Sequence, residues 1–213
     1  MGLSAFGRLL SVGMCTPAKA GAQNSSANLA FFRTGPRLSP GYAKAASHPK
    51  AEEAWRANDA SLWQDIMIRI RSSTSADGER ILQIWRDAVD ATHDFLTAVD
   101  RIAIEEEVKG FLPAAPLWLA VDAADRPIGF MLLDGTSIEA LFIDPAHRAA
   151  GIGRALVEHA LARHPTLTTE VNEQNAQAVG FYECMGFVPT GRSARDGQGR
   201  AYPLIHLRFA AHD

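Results

Sequence analysis

The sequence predicts a mixed α/β fold in which helices pack on the faces of a sheet. From Met67 onward, apolar runs of strand length alternate with stretches whose apolar residues recur at helical spacing. Glycine, proline and aspartate cluster between these runs, where they favour turns. The resulting order is β-α-α-β-β-β-α-β-α-β-β. Consecutive strands in the middle and helices elsewhere indicate a mixed sheet and not a purely parallel one.

The first three predicted elements are a strand and two helices. Residues 67–71 alternate apolar and polar side chains, which is typical of a half-buried strand. Thr74 and Asp77 have the spacing of a capping box. An amphipathic helix follows, with its apolar face formed by Ile81, Ile84, Trp85, Ala88 and Val89. A second helix is predicted from Val99 to Phe111, before Pro113.

The remaining predicted elements are six strands and two helices. Strands are predicted at 116–121, 128–133, 137–143, 167–171, 187–191 and 202–209, and the first two of these form a hairpin. Asp144 and Pro145 end the strand at 137–143. A glycine-containing turn then leads into a helix that ends near Arg163. The last helix covers Asn175 to Cys184, and Gly186 is suited to a left-handed cap.

Residues 1–66 differ in composition from the rest of the chain. They are rich in Ala, Gly, Ser and Pro and carry a net charge of +3, whereas residues 67–213 carry −6. No sustained helical or strand period is present, so this segment buries too little apolar surface to offset its chain entropy. Three interpretations are open. The segment is a disordered tail, or it is an organelle transit peptide, since it has no acidic residue before Glu52. Alternatively, translation begins at Met67 and the upstream residues are not part of the protein. We expect residues 67–213 to form the functional domain.

The overall composition excludes several classes of protein. No apolar run approaches the roughly 18 residues that span a bilayer. A formal charge of −3 gives no reason to expect a nucleic-acid partner. Cys15 and Cys184 cannot build a disulfide framework, which favours a reducing compartment such as the cytoplasm. The histidines lack ligand spacing and no CxxC is present, so we expect no metal site.

A glycine-containing turn between a strand and a helix is the first feature that indicates chemistry. The free N–H groups and the dipole of a helix N-terminus attract anions. Gly151 and Gly153 would let a phosphate approach the backbone, and Arg148 would add charge. On spacing alone, a simple connecting turn is equally compatible. Leu156 occupies the third glycine position of a dinucleotide fingerprint, and the Gly-Lys-Ser/Thr triplet of a nucleoside-triphosphate loop is absent.

Two motifs in order resemble those of the GNAT superfamily of N-acetyltransferases. The stretch "FIDPAHRAAGIGRALVEHAL" resembles its acetyl-CoA-binding segment, and "NEQNAQAVGFYECMGF" resembles its second motif. The resemblance covers about residues 67–209. It implies a mixed, mostly antiparallel sheet with helices on both faces and a V-shaped split that receives the pantetheine arm of acetyl-CoA. It also implies direct attack of a primary amine on the thioester, without an acyl-enzyme.

The resemblance assigns positions of this sequence to the cofactor and to catalysis. The backbone of Leu141, Phe142 and Ile143 would contact the thioester oxygen, and Asn175 would contact the pantetheine arm. The phosphate contacts would come from Arg148, Ala149, Ala150, Gly151, Ile152, Gly153 and Arg154. Tyr182 would protonate the leaving thiolate, since phenol and thiol pKa values lie within roughly 1.5 units. The alternative for Tyr182 is a packed tyrosine with its hydroxyl at the rim. The alternative for Asn175 is a helix N-cap, and this residue could serve in both roles.

The base and the acceptor are less constrained. Glu139 and His93 are the candidate bases, with a solvent-facing carboxylate and a hydrogen-bonded histidine as the alternatives. Asp90 and Asp94 are four positions apart and share a helical face, so they could hold a cationic acceptor, with a solvated face as the alternative. Cys184 lacks an evident histidine partner and is expected to be a packed small residue.

The expected activity is transfer of an acetyl group to a small-molecule amine or a protein amine, by a monomer or a homodimer. A non-catalytic acyl-CoA-binding module is the alternative, and the presence of Tyr182 favours the enzyme. A toxin-type enzyme that acts on charged tRNA is disfavoured by the net charge of −6 over residues 67–213.

Overall fold

The structure, a computed structural model, describes residues 68–210. The expectations for residues 1–66 therefore lie outside the described residues. The strands are β1 (Arg69–Ser72), β2 (Leu117–Val121), β3 (Pro127–Asp134), β4 (Ser137–Ile143), β5 (Thr168–Asn172), β6 (Phe187–Ser193) and β7 (Leu204–Phe209). The α-helices are α1 (Gly78–Asp90), α2 (Ala98–Phe111), α3 (Ile152–Leu161) and α4 (Ala176–Cys184). Short 3-10 turns cover Ser75–Asp77, Leu112–Ala114 and Pro145–His147. The predicted order of elements is confirmed.

The seven strands form one mixed sheet in the order β1-β2-β3-β4-β5-β7-β6. Only the central β4–β5 pairing is parallel, and the other strand pairs are antiparallel. The mostly antiparallel sheet is therefore confirmed. Strand β7 lies between β5 and β6, so the last hairpin folds back to place its second strand beside the centre of the sheet.

Two buried clusters lie on opposite faces of this sheet. One joins α3 and α4 to the sheet through residues such as Leu156 and Phe181. The other joins α1 and α2 to the sheet around Trp85, which is 1% exposed. Strand β4 contributes to both, with Leu141 in the first cluster and Phe142 in the second. Such two-sided burial explains why its sequence is a nearly continuous apolar run.

The start of α1 is fixed by the predicted capping box. The Asp77 carboxylate accepts hydrogen bonds from the Thr74 backbone N–H and hydroxyl, both at 2.8 Å. Arg71 of β1 binds both oxygens of the same carboxylate at 2.9 and 2.8 Å. The Arg71 guanidinium lowers the pKa of Asp77 well below its usual range, against the effect of burial. A bidentate ion pair thus ties the first strand to the first helix.

The sheet splits between β4 and β5. These strands pair only at Ser137–Thr168 and Ile138–Thr169. The Thr169 hydroxyl donates to the Ile138 carbonyl at 2.9 Å, which closes the end of the split with a side-chain bond. Past this point the residues of the two strands are no longer paired with each other, and the predicted V-shaped split is confirmed. Both strands run toward its open end because they are parallel.

Candidate active site

A β-bulge at Glu139 lies at the closed end of the split. In the β3–β4 ladder Leu132 pairs with Ala140 and Leu133 pairs with Ile138, so Glu139 is the extra residue. Ile138 packs toward α3 and α4, whereas Ala140 packs toward α1 and α2. Glu139 is half-buried and is the first residue of β4 beyond the last β5 pair. Bulges re-aim side chains and interrupt pairing, which suits a residue at the edge of a site.

The three residues expected to contact the thioester oxygen follow this bulge. Leu141, Phe142 and Ile143 are at most 4% exposed, and their side chains fill the two cores. On one side they pair with β3. On the other side the described strands give them no ladder partner, because β5 has already separated. The backbone is thus the part of this segment that faces the split.

The turn after β4 exposes backbone at the N-terminus of α3. Ala149 and Gly151 have left-handed φ values of 62° and 79°. Gly151 is the N-cap of α3 and provides no side-chain cap. Ala149, Ala150 and Gly151 are exposed. The first N–H groups of a helix have no acceptor within the helix, so this turn presents donors to an anion.

Arg148 adds a partly desolvated cation beside the turn. Its side-chain Nε and Nη2 atoms are buried and have no hydrogen-bond partner among residues 68–210. Burial lowers the pKa of Arg148, and the nearby Asp144 carboxylate offsets part of this effect. Buried guanidinium nitrogens without hydrogen bonds are costly unless an anion meets them. Arg148 and the α3 N-terminus therefore fit a phosphate group.

The two glycines of the turn are needed for different reasons. A Cβ on Gly151 would contact nothing within 4 Å, so its requirement lies in the left-handed φ. A Cβ on Gly153 would lie 3.3 Å from the Phe181 ring. This glycine therefore also lets α3 pack against α4, and the expectation that it clears space for a phosphate stays a prediction. A cofactor contact by the Gly153 backbone stays a prediction, as does one by the exposed Arg154.

Helix α4 begins beside the other arm of the split. The Asn175 side chain is 3% exposed, and its Oδ1 accepts from the Ala178 N–H at 3.0 Å, which is the N-cap alternative. Asn172, the last residue of β5, was missed by the sequence analysis. It is 1% exposed, and its Nδ2 is buried with no hydrogen-bond partner in the described part of the chain. A buried amide donor on the arm of the split fits a ligand carbonyl.

Tyr182 is enclosed completely. Its relative exposure is 0%, which contradicts the alternative of a packed tyrosine with its hydroxyl at the rim. The ring contacts Phe181 and Phe187 edge to face, with centroids 5.1 Å away in each case. These aromatic neighbours fix the ring, so the hydroxyl position is set by packing and not by solvent.

His93 lies in the loop after α1 and is 4% exposed. Its Nδ1 is 2.8 Å from the Thr92 hydroxyl, which matches the hydrogen-bonded alternative. The pKa of His93 is lowered to about 4, chiefly by burial and in smaller part by the charges of Arg101 and Arg148, against a backbone hydrogen bond to Val89 that raises it. A ring that binds a proton so weakly is a poor acceptor for an amine proton.

The acid sensitivity of folding should depend on His93. The unfolded ring takes up a proton near pH 6.5, whereas the folded ring does so only near pH 4. The neutral ring therefore contributes stability that is complete above pH 6.5 and is lost as the pH falls to 4. We expect His93 to account for about 2 kcal/mol of the loss between pH 7 and 5. Urea unfolding of wild type and His93→Asn at both pH values measures this, and equal losses in the two proteins would contradict it.

Two minor expectations were wrong. Helix α1 ends at Asp90, so Asp94 does not share a helical face with it, and Asp90 instead pairs with Arg101 at 2.8 Å. Cys184 is exposed and not packed.

Among residues 68–210, no group of three His, Cys, Asp or Glu side chains is arranged to hold a metal. No helix in that range is long and apolar enough to cross a membrane.

The comparisons with known proteins agree with this geometry. Residues 85–203 match the model of the acetyltransferase (GNAT) domain. The chain is 58% identical over 144 residues to the peptidyl-lysine N-acetyltransferase YjaB of Salmonella typhimurium, covering 68% of this chain and 99% of the relative. It is 44% identical over 144 residues to a 5-NmdU N-acetyltransferase of Pseudomonas phage PaMx11, covering 63% and 96%. The chain belongs to the GNAT acetyltransferases.

A solved structure supports the same assignment. The solution structure of the apo form of YjaB from Escherichia coli superposes with a TM-score of 0.66 at 55% identity, covering 68% of this chain and 99% of that one. The expected GNAT fold and the acetyltransferase class of enzyme are thus confirmed.

Proposed function

We propose that this protein transfers an acetyl group from acetyl-CoA to the side-chain amine of a lysine in a protein. The observation that carries the proposal is the split between β4 and β5, which opens beside a turn suited to phosphate. The lysine acceptor is supported by YjaB, a peptidyl-lysine N-acetyltransferase that is 58% identical. The net charge of −6 over residues 67–213 favours a cationic acceptor over a nucleic acid.

The phosphates of acetyl-CoA would bind at the N-terminus of α3. Backbone N–H groups from Ala149 to Arg154 are the donors, and Arg148 supplies the charge. The exposed turn and the buried, unpaired atoms of Arg148 support this assignment. A dipole and a guanidinium that face the same anion reinforce each other.

The pantetheine arm would lie between the strands of the split. Its amides would bond to backbone groups of Leu141–Ile143 that β5 leaves without a ladder partner. On the opposite arm, Asn172 would donate through Nδ2, which has no partner in the described part of the chain. Asn175 would act mainly by starting α4, since its Oδ1 already caps that helix.

The reaction forms a C–N bond and breaks the C–S bond of the thioester. Backbone N–H groups near Leu141 would stabilise the charge that develops on the thioester oxygen. Tyr182 would give its proton to the departing sulfur, which then leaves as a thiol. The fixed position of the Tyr182 ring between Phe181 and Phe187 supports a preorganised acid. Both reactants are held side by side, which removes much of the entropic barrier.

Of the two predicted bases, Glu139 is better placed than His93. Glu139 is half-buried at the bulge, beside the closed end of the split. His93 is enclosed, and its pKa is lowered to about 4. We therefore assign Glu139 to the acceptor side of the site, where its carboxylate would attract the lysine ammonium. A cytoplasmic location and a monomeric or homodimeric state belong to the same proposal, as does a functional domain at residues 67–213.

A comparison of acceptors tests the proposal. Release of the CoA thiol is measured with lysine peptides, the same peptides carrying arginine at that position, free amino acids and small polyamines. We expect lysine peptides to react and arginine peptides to be inert, with the acetyl group found on the lysine Nζ by mass spectrometry. Faster reaction with free amino acids or polyamines than with every lysine peptide would assign a small-molecule acceptor instead.

A further inference from the structure

Three polar side chains form a hydrogen-bonded chain across β5, β7 and β6. Glu170 Oε1 lies 2.8 Å from His206 Nδ1. His206 Nε2 lies 2.7 Å from the Ser193 hydroxyl. The Glu170 side chain is 10% exposed and that of His206 is 32% exposed. Both ring nitrogens thus have a partner, and the imidazole still reaches solvent.

The row of hydrogen-bonded side chains begins at the closed end of the split. Glu170 is the first residue of β5 beyond the last β4 pair, as Glu139 is on β4. In the β5–β7 ladder Glu170 lies directly opposite His206. The neighbouring Val171 and Leu207 pack toward α3 and α4. Because side chains alternate along a strand, Glu170 and His206 lie on the other face of the sheet, away from the phosphate turn.

A cavity lies at the closed end of the split, beside these side chains. It has a volume of about 250 Å³, and its walls include Ser137 and Thr169 of the closing pairs together with Glu170 and His206. Since a water occupies roughly 30 Å³ of liquid volume, this space admits the end of a lysine side chain and solvent. The segment expected to hold the thioester, Leu141–Ile143, begins three residues beyond Ile138, which is within about 10 Å along the strand.

We propose that His206, held by Glu170 and Ser193, is the base that takes the proton from the acceptor amine. The inference rests on the proposed acetyl transfer. A lysine ammonium has a pKa of about 10.4, so it must lose a proton before its nitrogen attacks. An N–H bond of the acceptor breaks and its electron pair stays on the nitrogen, while the proton passes to the Ser193 oxygen and the hydroxyl proton of Ser193 moves to Nε2 of His206. The Ser193 hydroxyl, a donor to Nε2 of the neutral ring, then accepts from the new N–H.

Glu170 fixes which nitrogen of His206 carries the proton, and it pairs with the ring when the ring is charged. Its bond to Nδ1 keeps the proton of the neutral ring on that nitrogen, which leaves Nε2 as the acceptor. Its carboxylate then offsets the charge of the imidazolium. The other charged groups on the adjoining strands are Arg208 of β7 and Arg192 of β6. Arg192 is already paired with Glu173 at 2.7 Å. Glu139 would complement the pair by holding the ammonium before transfer.

The test compares kcat/KM for the best amine acceptor between pH 6 and 10 in wild type and His206→Gln. Glutamine keeps polar contacts but cannot take up a proton. We expect a loss of roughly 10²-fold at pH 7, which shrinks toward pH 10 as the amine deprotonates in solution. Acetyl-CoA affinity should stay within twofold.

Glu170→Gln should show the same pH-dependent loss at about tenfold, and added imidazole should partly restore the activity of His206→Ala. His164→Gln, a change at a histidine outside the site, should behave as wild type.

Three results would overturn the assignment. These are a loss below threefold at pH 7 in both His206→Gln and Glu170→Gln, an equal loss at every pH, and an acetyl group trapped on Ser193. The last would make Ser193 a nucleophile, which the present proposal excludes. If lysine peptides fail as acceptors, the substrate assignment fails alone. The same variants are then compared on the amine that does react, because any ammonium must lose its proton.

Discussion

Tyr182→Phe should turn over roughly 10²–10⁴-fold more slowly than wild type and bind acetyl-CoA almost unchanged. Phenylalanine keeps the ring that packs between Phe181 and Phe187, so the fold of α4 should survive. Only the acidic hydroxyl is removed. The departing sulfur then leaves as a thiolate or takes its proton from water, and both routes raise the barrier.

The measurement is a single-turnover rate together with a titration of acetyl-CoA affinity. Single turnover excludes the case in which product release limits kcat and hides the effect. Tyr202→Phe is the matched control, because Tyr202 is also buried and donates its hydroxyl to Asp100 at 2.6 Å. It should lose stability without a comparable loss in rate. A fall of less than about threefold for Tyr182→Phe would remove this residue as the acid.

Gly151→Asp should weaken acetyl-CoA binding far more than Gly151→Asn. Both side chains have nearly the same shape, and both residues tolerate a left-handed φ better than most. The position has φ 79°, and a Cβ there would meet nothing within 4 Å. Each variant thus carries similar backbone strain, and the pair differs chiefly by one negative charge beside the proposed phosphates. We expect Kd to differ by roughly 10–100-fold between them.

Isothermal titration at low and high salt measures this difference. The ratio of the two Kd values should shrink as salt rises, because the charges are partly exposed and become screened. Equal melting temperatures of the two variants would show that strain is matched. Equal affinities in folded Asp and Asn variants would place the phosphates elsewhere. Gly153 is unsuitable for this test because any side chain there displaces the Phe181 ring.

Features that depend on residues close together in the sequence were mostly predictable. Period and turn residues predicted the element order, and the capping box at Thr74 and Asp77 is present. The strand predicted at 137–143 coincides with β4. These features depend on residues within a few positions of each other. The turn proposed to bind phosphate belongs to this group, since its left-handed Gly151 and the helix after it are consecutive in the chain.

What could not be predicted depends on contacts between distant residues. The bulge at Glu139 exists only in relation to the register of β3. Glu170 and His206 are 36 positions apart in number, and they meet because β7 inserts beside β5. The close approach of Gly153 to the ring of Phe181 joins two different helices. In the sequence Asn172 looked like an ordinary residue at the end of a strand. Only its buried Nδ2, which has no partner in the described part of the chain, identifies it as a candidate ligand contact.

The split also makes the proposed cosubstrate a part of the protein's architecture. The two halves of the sheet, β1–β4 and β5–β7, share two residue pairs and the hydroxyl bond from Thr169 to Ile138. An extended pantetheine arm would fill the place of the missing strand pairs. A ligand at 100 times its Kd stabilises a folded protein by about 2.7 kcal/mol. The lifetime of this protein against proteolysis would then follow the supply of acetyl-CoA, so that starvation would deplete the enzyme along with its substrate.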